Sequence, residues 1–107
     1  MDFEPVLGSE AYKRRPAIVV SNDGANTAAN RLGRGVVTVV PMTSNVARVY
    51  PFQVLLRSTS TGLDRDSKAQ AEQIRAVAVE RVGRVLGALP GVDMKRLDDA
   101  LRMHLAL

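Results

Sequence analysis

The feature that most limits how this chain can fold is a run of β-branched residues near its middle. Residues Val36 to Val40 comprise four valines and one threonine, and such residues favour a pleated strand that is at least half buried. Pro41 follows at once. Because proline cannot donate to a strand ladder, we expect the strand to end there.

Two further runs predict strands in the same sheet. Ala17 to Ser21 is short and rich in β-branched residues, with Pro16 at its first position, where a strand tolerates proline. Tyr50 to Leu56 is the third run, and Pro51 near its start favours an edge position. The remaining assignments are a turn at 22–24, a short helix over 25–32, loops over 42–48 and 57–68, and weaker strands over 69–79 and 82–89.

The spacing of apolar residues changes near the end of the chain, where it predicts a helix. Met94, Leu97, Leu101 and Leu105 fall at helical spacing, and Asp93 stands where an N-cap is expected. This apolar stripe is best interpreted as core packing.

The order of the predicted elements, strands first and one helix last, predicts a mainly β fold, a mostly antiparallel β-barrel-like sheet with helical additions. The 107 residues fit a single domain, 1–107.

Composition excludes several kinds of chemistry. The chain has no cysteine, so disulfides, thiol nucleophiles and cysteine-ligated zinc sites are excluded, and its one histidine, His104, excludes a two-histidine ribonuclease mechanism. Metal-ligand and phosphate-loop motifs are not found, so we expect neither a metal nor a cofactor. No run of residues is long and apolar enough for a membrane span, which favours a cytoplasmic protein without membrane contact.

The charge of the chain is compatible with an acidic partner. Fifteen lysines and arginines stand against 11 acidic residues, a formal net charge of +4. A solvated basic surface and a nucleic-acid-binding surface both explain this excess. The side chains left for an enzyme are Arg, Lys, Thr, Ser and Glu. Such a set suits phosphodiester cleavage by the 2′-hydroxyl of RNA, in which the protein stabilises charge on phosphorus and needs no metal.

Four blocks of the sequence form a pattern by their order and spacing. They are Gly8-Ser9-Glu10 with Arg14-Arg15-Pro16-Ala17-Ile18-Val19-Val20-Ser21, Val39-Val40-Pro41-Met42-Thr43-Ser44, Tyr50-Pro51-Phe52, and Asp66 through Arg75. This pattern resembles the MazF/PemK toxins, which are endoribonucleases of bacterial toxin–antitoxin pairs. The resemblance covers nearly the whole chain and is closest to the actinobacterial, mycobacterial-like members.

The resemblance implies a fold, a site and partners. The fold would be a small SH3-like antiparallel β-barrel of the CcdB/MazF type with a C-terminal helix, forming a homodimer whose groove holds the site. RNA would be the substrate, and a cognate MazE-type antitoxin would place an acidic tail in the basic groove. The products would be a 2′,3′-cyclic phosphate and a 5′-hydroxyl.

The resemblance also assigns roles to residues of this chain. Arg15 would match the arginine of acid–base catalysis and phosphate stabilisation, and Thr43 the threonine at the scissile phosphate. Because free arginine has a pKa above about 12, charge stabilisation is the first role we expect of Arg15. The alternative interpretations are a surface charge for Arg15 and loop capping for Thr43. Further RNA-binding candidates, each also interpretable as ordinary polar surface, are Ser9, Glu10, Ser44, Asn45, Arg48 and Gln73.

The start of the chain departs from the family pattern. Met1 to Pro5 match only the tail of the family's first strand, which usually carries a tryptophan or tyrosine, so we expect most of that strand to be missing. An absent strand would expose a sheet edge. A truncated RNA- or antitoxin-binding protein therefore stays open as an alternative function. A second alternative is a non-catalytic, gyrase-inhibiting toxin of the CcdB type, which would use the same barrel. The ending His104-Leu105-Ala106-Leu107, without tryptophan, disfavours the gyrase inhibitor.

Overall fold

The computed structural model describes residues 16–21, 31–32, 34–83 and 87–107, together with the backbone of residues 5–7. We number the strands and helices of these residues in chain order. The strands are β1 (Pro5–Leu7), β2 (Pro16–Val19), β3 (Val36–Thr43), β4 (Gln53–Leu56), β5 (Ser67–Gln70) and β6 (Arg75–Ala78). The helices are α1 (Ser58–Thr61) and α2 (Gly91–Leu105), with 3-10 turns at Ala71–Gln73 and Val79–Arg81.

β3 is the strand around which the sheet is arranged. All pairings are antiparallel, and the strand order is β1-β2-β3-β5-β4, with β6 also paired to β3. One edge of β3 pairs with β2. The opposite edge pairs first with β6, over Val36 to Val39, and then with β5, at Met42 and Thr43. The antiparallel sheet predicted from the sequence is therefore present, and β4 occupies the edge expected for it.

Pro41 does not end β3, contrary to the prediction. Thr38 directs its backbone groups at β2, since Val20 N–H donates to the Thr38 carbonyl at 2.9 Å. Because these groups alternate along a strand, the nitrogen of Pro41 faces the opposite edge. There the partner changes from β6, last paired at Val39, to β5, first paired at Met42. The missing N–H falls at this change of partner, so the strand continues to Thr43.

Several other predicted boundaries were also wrong. The strand expected from Tyr50 starts only at Gln53, after a turn, and the loop expected over 57–68 holds α1 and the start of β5. The segment 69–79 is divided between β5 and β6 by a 3-10 turn. Residues 82–83 and 87–89 are not in a strand, and 84–86 lie outside the described residues. The turn predicted at 22–24 and most of the helix predicted over 25–32 also lie outside them, whereas residues 31 and 32 are helical.

Apolar side chains fill both faces of the sheet. The main core lies between the sheet and α2, and it includes the fully buried Ile18, Leu56 and Leu97. A smaller cluster on the other face is built from Ala17, Val37, Val39 and Val77. β3 contributes to both clusters, since consecutive side chains of a strand point to opposite faces. Its β-branched composition is thus explained by burial on both sides.

The predicted C-terminal helix is confirmed, although it begins earlier than expected. α2 starts at Gly91 directly after the N-cap Pro90, so Asp93 lies within the first turn and is not the N-cap. The buried Asp93 carboxylate accepts a hydrogen bond from Arg96 Nη1 at 3.2 Å, and Arg96 Nη1 also donates to the Leu55 carbonyl at 3.0 Å. These contacts attach α2 to β4. Within the described part of the chain, no helix is both long and apolar enough to cross a membrane.

The apolar stripe of α2 is buried only over its first part. Met94, Leu97 and Ala100 are buried, whereas Met103 and Leu105 are exposed at 60% and 46%. The second half of the stripe therefore does not pack against the sheet as predicted.

Truncation of Leu97 tests the packing of α2. Leu97→Ala should lower the free energy of unfolding by about 2–5 kcal/mol, because it removes a fully buried side chain and leaves a cavity. Met103→Ala, on the exposed part of the same helix, should change it by less than about 0.5 kcal/mol. Urea denaturation followed by circular dichroism measures both values. Equal losses for the two variants would contradict the packing described here.

A single carboxylate stabilises the start of α1. Asp66 Oδ1 accepts a hydrogen bond from the Ser58 backbone N–H at 2.8 Å, and Asp66 Oδ2 lies 3.6 Å from Arg57 Nη1. The bond from the Ser58 backbone is the main cause that lowers the pKa of Asp66 below its ordinary value. Desolvation opposes this shift, and the Ser58 side chain and the charge of Arg57 add to it.

This lowered pKa predicts how stability depends on pH. A carboxyl whose pKa is lower in the folded state stabilises the fold above its unfolded-state pKa, and that contribution disappears as the pH falls through the folded-state pKa. Asp66→Asn should therefore be less stable than the wild type near neutral pH, with a difference that shrinks on acidification. Urea midpoints across the acidic range measure it, and Asp64→Asn, an exposed carboxyl nearby, is the control. A difference that stays constant down to the most acidic pH would contradict the assignment.

Candidate active site

Thr43 is the last residue of β3 and stands where the strand passes into a loop. Its side chain is half-buried, and its Oγ1 accepts a hydrogen bond from the Asn45 backbone N–H at 3.2 Å. Asn45 Oδ1 in turn accepts from the Ala47 N–H at 3.3 Å. Thr43 thus caps the loop, which is the alternative interpretation that the sequence left open for this residue. The cap uses the hydroxyl oxygen as an acceptor, so the hydroxyl hydrogen can still be donated to a ligand.

The loop that follows, residues 44–52, is anchored to the sheet by a buried lysine. Lys68 pairs with Thr43 across β3 and β5 and is only 9% exposed. Its Nζ donates to the Arg48 carbonyl at 2.6 Å. A hydrogen bond from a charged donor is stronger than one between neutral groups. Lys68 therefore fixes the middle of the 44–52 loop beside Thr43 and places a positive charge there.

The far end of the 44–52 loop is fixed by a turn. The Gln53 N–H donates to the Tyr50 carbonyl at 2.8 Å, which closes a turn with Pro51 at its second position, where proline is favoured. The Gln53 side chain accepts from the Tyr50 N–H at 3.1 Å and donates from Nε2 to Glu72 Oε2 at 2.6 Å. These bonds connect the turn to the segment after β5.

Three side chains of the loop form a stacked column. The Tyr50 and Phe52 rings are parallel to within 2°, with centroids 5.4 Å apart. The guanidinium carbon of Arg48 lies over the Tyr50 ring at 5.7 Å from its centroid, and Arg48 Nη1 donates to the Tyr50 hydroxyl at 3.1 Å. Arg48 and Tyr50 are exposed and Phe52 is half-buried. We call Arg48, Tyr50 and Phe52 the stacked column.

The structure brings four of the predicted site residues into one segment. Thr43, Ser44, Asn45 and Arg48 follow one another from the end of β3, and all but Thr43 are exposed. Gln73, also exposed, lies in the 3-10 turn between β5 and β6, two strands that both pair with β3.

Arg15, Ser9 and Glu10 lie outside the described residues. The strand that begins directly after Arg15 in the sequence is nevertheless described. Ala17, in β2, pairs with Pro41. The start of β2 is therefore adjacent to the part of β3 that leads to Thr43.

Sequence reasoning predicted Arg48 as an RNA-binding candidate but missed Lys68 and the two rings of the stacked column, Tyr50 and Phe52. Lys68 stands in a segment rich in Ser, Thr, Gly and charge, which is typical of an exposed loop. Its burial and its pairing with Thr43, a contact between distant parts of the chain, are seen only in the structure. Tyr50 and Phe52 could have been noticed as an i, i+2 aromatic pair, but the Pro51 between them was interpreted as an edge-strand proline.

Comparison with known proteins agrees with this architecture. The sequence profile of PemK-like, MazF-like toxins of type II toxin–antitoxin systems matches residues 1–105. Endoribonuclease MazF9 of Mycobacterium tuberculosis is 60% identical over 107 residues, which cover 100% of this chain and 91% of that protein.

Solved structures show the same fold. The toxin MazF-mt6 of Mycobacterium tuberculosis superposes with a TM-score of 0.78 at 22% identity, over 96% of this chain and 97% of that chain. An endoribonuclease in complex with its cognate antitoxin, from a mycobacterial species, gives a TM-score of 0.75 at 21% identity, over 99% and 92%. These likenesses confirm the predicted fold class. Because the toxin profile spans nearly the whole chain and a relative of the same type is 60% identical over all of it, the chain belongs to the PemK-like, MazF-like toxins of type II toxin–antitoxin systems.

Proposed function

We propose that this chain is the toxin of its pair and cuts single-stranded RNA, messenger RNA included, without a metal ion. It is an endoribonuclease, as its family and its 60% identity to a named endoribonuclease indicate. In the proposed reaction the substrate's 2′-hydroxyl attacks the adjacent phosphorus and the 5′-oxygen leaves. The products are a 2′,3′-cyclic phosphate and a 5′-hydroxyl.

The observation that carries this proposal is the register of β2, β3 and β5. Ala17 pairs with Pro41, so the start of β2, which directly follows Arg15 in the sequence, lies beside the end of β3. Thr43 at that end pairs with the buried Lys68. The sheet thus supports a hydroxyl donor next to a fixed positive charge. This arrangement suits an anionic phosphate whose charge grows in the transition state.

Each predicted site residue has a role in this reaction. Arg15 stabilises the charge on the phosphate oxygens, because its planar fork can donate two hydrogen bonds at once. Thr43 donates its hydroxyl hydrogen to a phosphate oxygen while its own oxygen accepts from Asn45 N–H. The remaining residues contact the RNA on either side of the cut. They are Ser9, Glu10, Ser44, Asn45, Arg48 and Gln73.

The proposed partners follow from charge and from the solved relatives. A formal net charge of +4 suits both RNA and an acidic antitoxin tail. One structural relative was solved in complex with its cognate antitoxin. We therefore propose a MazE-type antitoxin that blocks the site, a homodimer as the active form, and action in the cytoplasm, where messenger RNA is found.

An RNA cleavage assay in excess EDTA tests the proposed chemistry. The wild type should cut a long single-stranded RNA and leave 5′-hydroxyl ends, which end mapping detects. Arg15→Ala and Thr43→Ala should each lower the rate by about 10²–10³ or more, since each removes a group that stabilises the transition state. Arg81→Ala, an exposed arginine elsewhere on the chain, should cut as the wild type does.

Three results would contradict the proposal. Loss of all cutting in EDTA would show that a metal is required. Normal cutting by Arg15→Ala would show that the site is assigned wrongly. RNA left intact by the wild type, together with gyrase stalled on DNA, would favour the gyrase-inhibiting alternative.

Substitution of Lys68 tests whether it positions the 44–52 loop. Lys68→Ala should lower the free energy of unfolding by about 1.5–3 kcal/mol, because it removes a charge-assisted hydrogen bond to the Arg48 carbonyl. It should also speed amide hydrogen exchange in the 44–52 loop and slow RNA cleavage. Lys95→Ala, which removes an ammonium that is 78% exposed, is the matched control and should change none of the three. A Lys68→Ala variant with wild-type exchange in that loop would disprove the positioning role.

A further inference from the structure

We propose that the stacked column, Arg48, Tyr50 and Phe52, binds an unpaired base of the RNA by stacking. The inference rests on the proposed function, since it supplies a base-binding subsite beside the cleaved phosphate. The ligand class is a single-stranded nucleic acid whose bases are free to leave the strand. Such bases are commonly held against aromatic rings and against the plane of an arginine guanidinium.

The geometry of the column fits a flat, electron-rich ligand. The Tyr50 and Phe52 rings are parallel to within 2° at a centroid distance of 5.4 Å. The Arg48 guanidinium lies over Tyr50, 5.7 Å from the ring centroid. Arg48 and Tyr50, the two exposed members of the column, present a cation and an aromatic ring to solvent, and the half-buried Phe52 ring stacks against Tyr50. A base can extend this stack and gain contact with the positive charge.

The column is held in place before any ligand arrives. Lys68 Nζ binds the Arg48 carbonyl, the Gln53 side chain accepts from the Tyr50 N–H, and Arg48 Nη1 donates to the Tyr50 hydroxyl. Each bond removes freedom that a ligand would otherwise have to order. A surface fixed in advance binds more tightly because less conformational entropy is lost on binding.

The position of the column favours RNA over an acidic peptide. The column belongs to the loop that starts immediately after Thr43, and Lys68 both pairs with Thr43 and fixes the Arg48 carbonyl. A nucleotide next to the cut therefore lies within reach of the same loop. A carboxylate of a peptide needs only the charge of Arg48, whereas a base also uses the stacked rings beneath it.

Binding of two strands that differ only in their bases tests the proposal. The first probe is a fluorescein-labelled 2′-O-methyl RNA of mixed sequence, about ten nucleotides long, which cannot be cut because the attacking hydroxyl is blocked. The second is an abasic strand with the same number of phosphates. Tyr50→Ala should weaken binding of the first strand by roughly five- to a hundredfold in fluorescence anisotropy and leave the second nearly unchanged.

Matched variants separate stacking from charge and from folding. Arg48→Lys keeps the positive charge but replaces the planar guanidinium with an ammonium, which cannot stack on a base. It should therefore weaken binding of the base-bearing strand only. Tyr50→Phe keeps the ring and loses only the hydroxyl that Arg48 Nη1 binds, so it should weaken binding of the base-bearing strand less than Tyr50→Ala does. Arg81→Ala, which removes an exposed arginine elsewhere, should affect both strands equally.

A spectroscopic signal reports the contact directly. The chain has two tyrosines, Tyr12 and Tyr50, and no tryptophan, so Tyr12→Phe leaves Tyr50 as the one tyrosine that emits. Its emission should be quenched by the base-bearing strand and not by the abasic strand. Equal quenching by both strands, or none by either, would overturn the proposal.

The binding results also distinguish this inference from the proposed function. If Tyr50→Ala weakens binding of both strands equally, or of neither, the proposed role of the stacked column is wrong, even if the wild type cuts RNA. If Tyr50→Ala weakens binding of an acidic peptide and of neither RNA strand, the stacked column is a protein-docking surface, and the base-stacking proposal is wrong. A base-dependent loss in a protein that does not cut RNA would support the column and refute the cleavage proposal.

Discussion

The two-sided pairing of β3 is the constraint on which the rest of the structure depends. One edge of this strand pairs with β2, over Val39 to Pro41, and the other is divided between β6 and β5. A single residue, Pro41, stands where the partner changes. Because Met42 and Thr43 pair with β5, the strand continues past the proline. Thr43 is therefore held in place by its pairing with Lys68 at the end of the strand. The location of the candidate site is thus a consequence of strand register.

The buried Lys68 shows how local stability and site geometry are linked. An ammonium taken out of water is costly unless its hydrogens find acceptors. Here the acceptor is the backbone carbonyl of Arg48, which belongs to the 44–52 loop. The loop is therefore needed to stabilise the charge, and the charge is needed to hold the loop. Through this bond the 44–52 loop is attached to the sheet at its middle as well as at its two ends.

Sequence patterns predicted those features that depend on neighbours along the chain. β3 and α2 were predicted because a β-branched run and a helical apolar stripe are local signals, and the start of β2 at Pro16 was predicted in the same way. The passage of β3 through Pro41 was not predicted, since it depends on where two distant strands exchange places. The burial of Lys68 and its pairing with Thr43 depend on distant strands, so no local pattern contains them. The resemblance named Arg15, Thr43 and Arg48 as candidates, whereas the stacking of Tyr50 on Phe52 is seen only in the structure.

The hydrogen bonding of Thr43 bears on the role proposed for it in the reaction. Its oxygen already accepts the Asn45 N–H, so one of its two lone pairs is in use. It can still donate, and a donor held by a strand end is well suited to a phosphate oxygen on which charge develops. In the proposed reaction RNA supplies its own nucleophile, so the protein groups would act mainly through their orientation. A loop fixed at Thr43, at Arg48 and at the Tyr50 turn offers that orientation at three successive points.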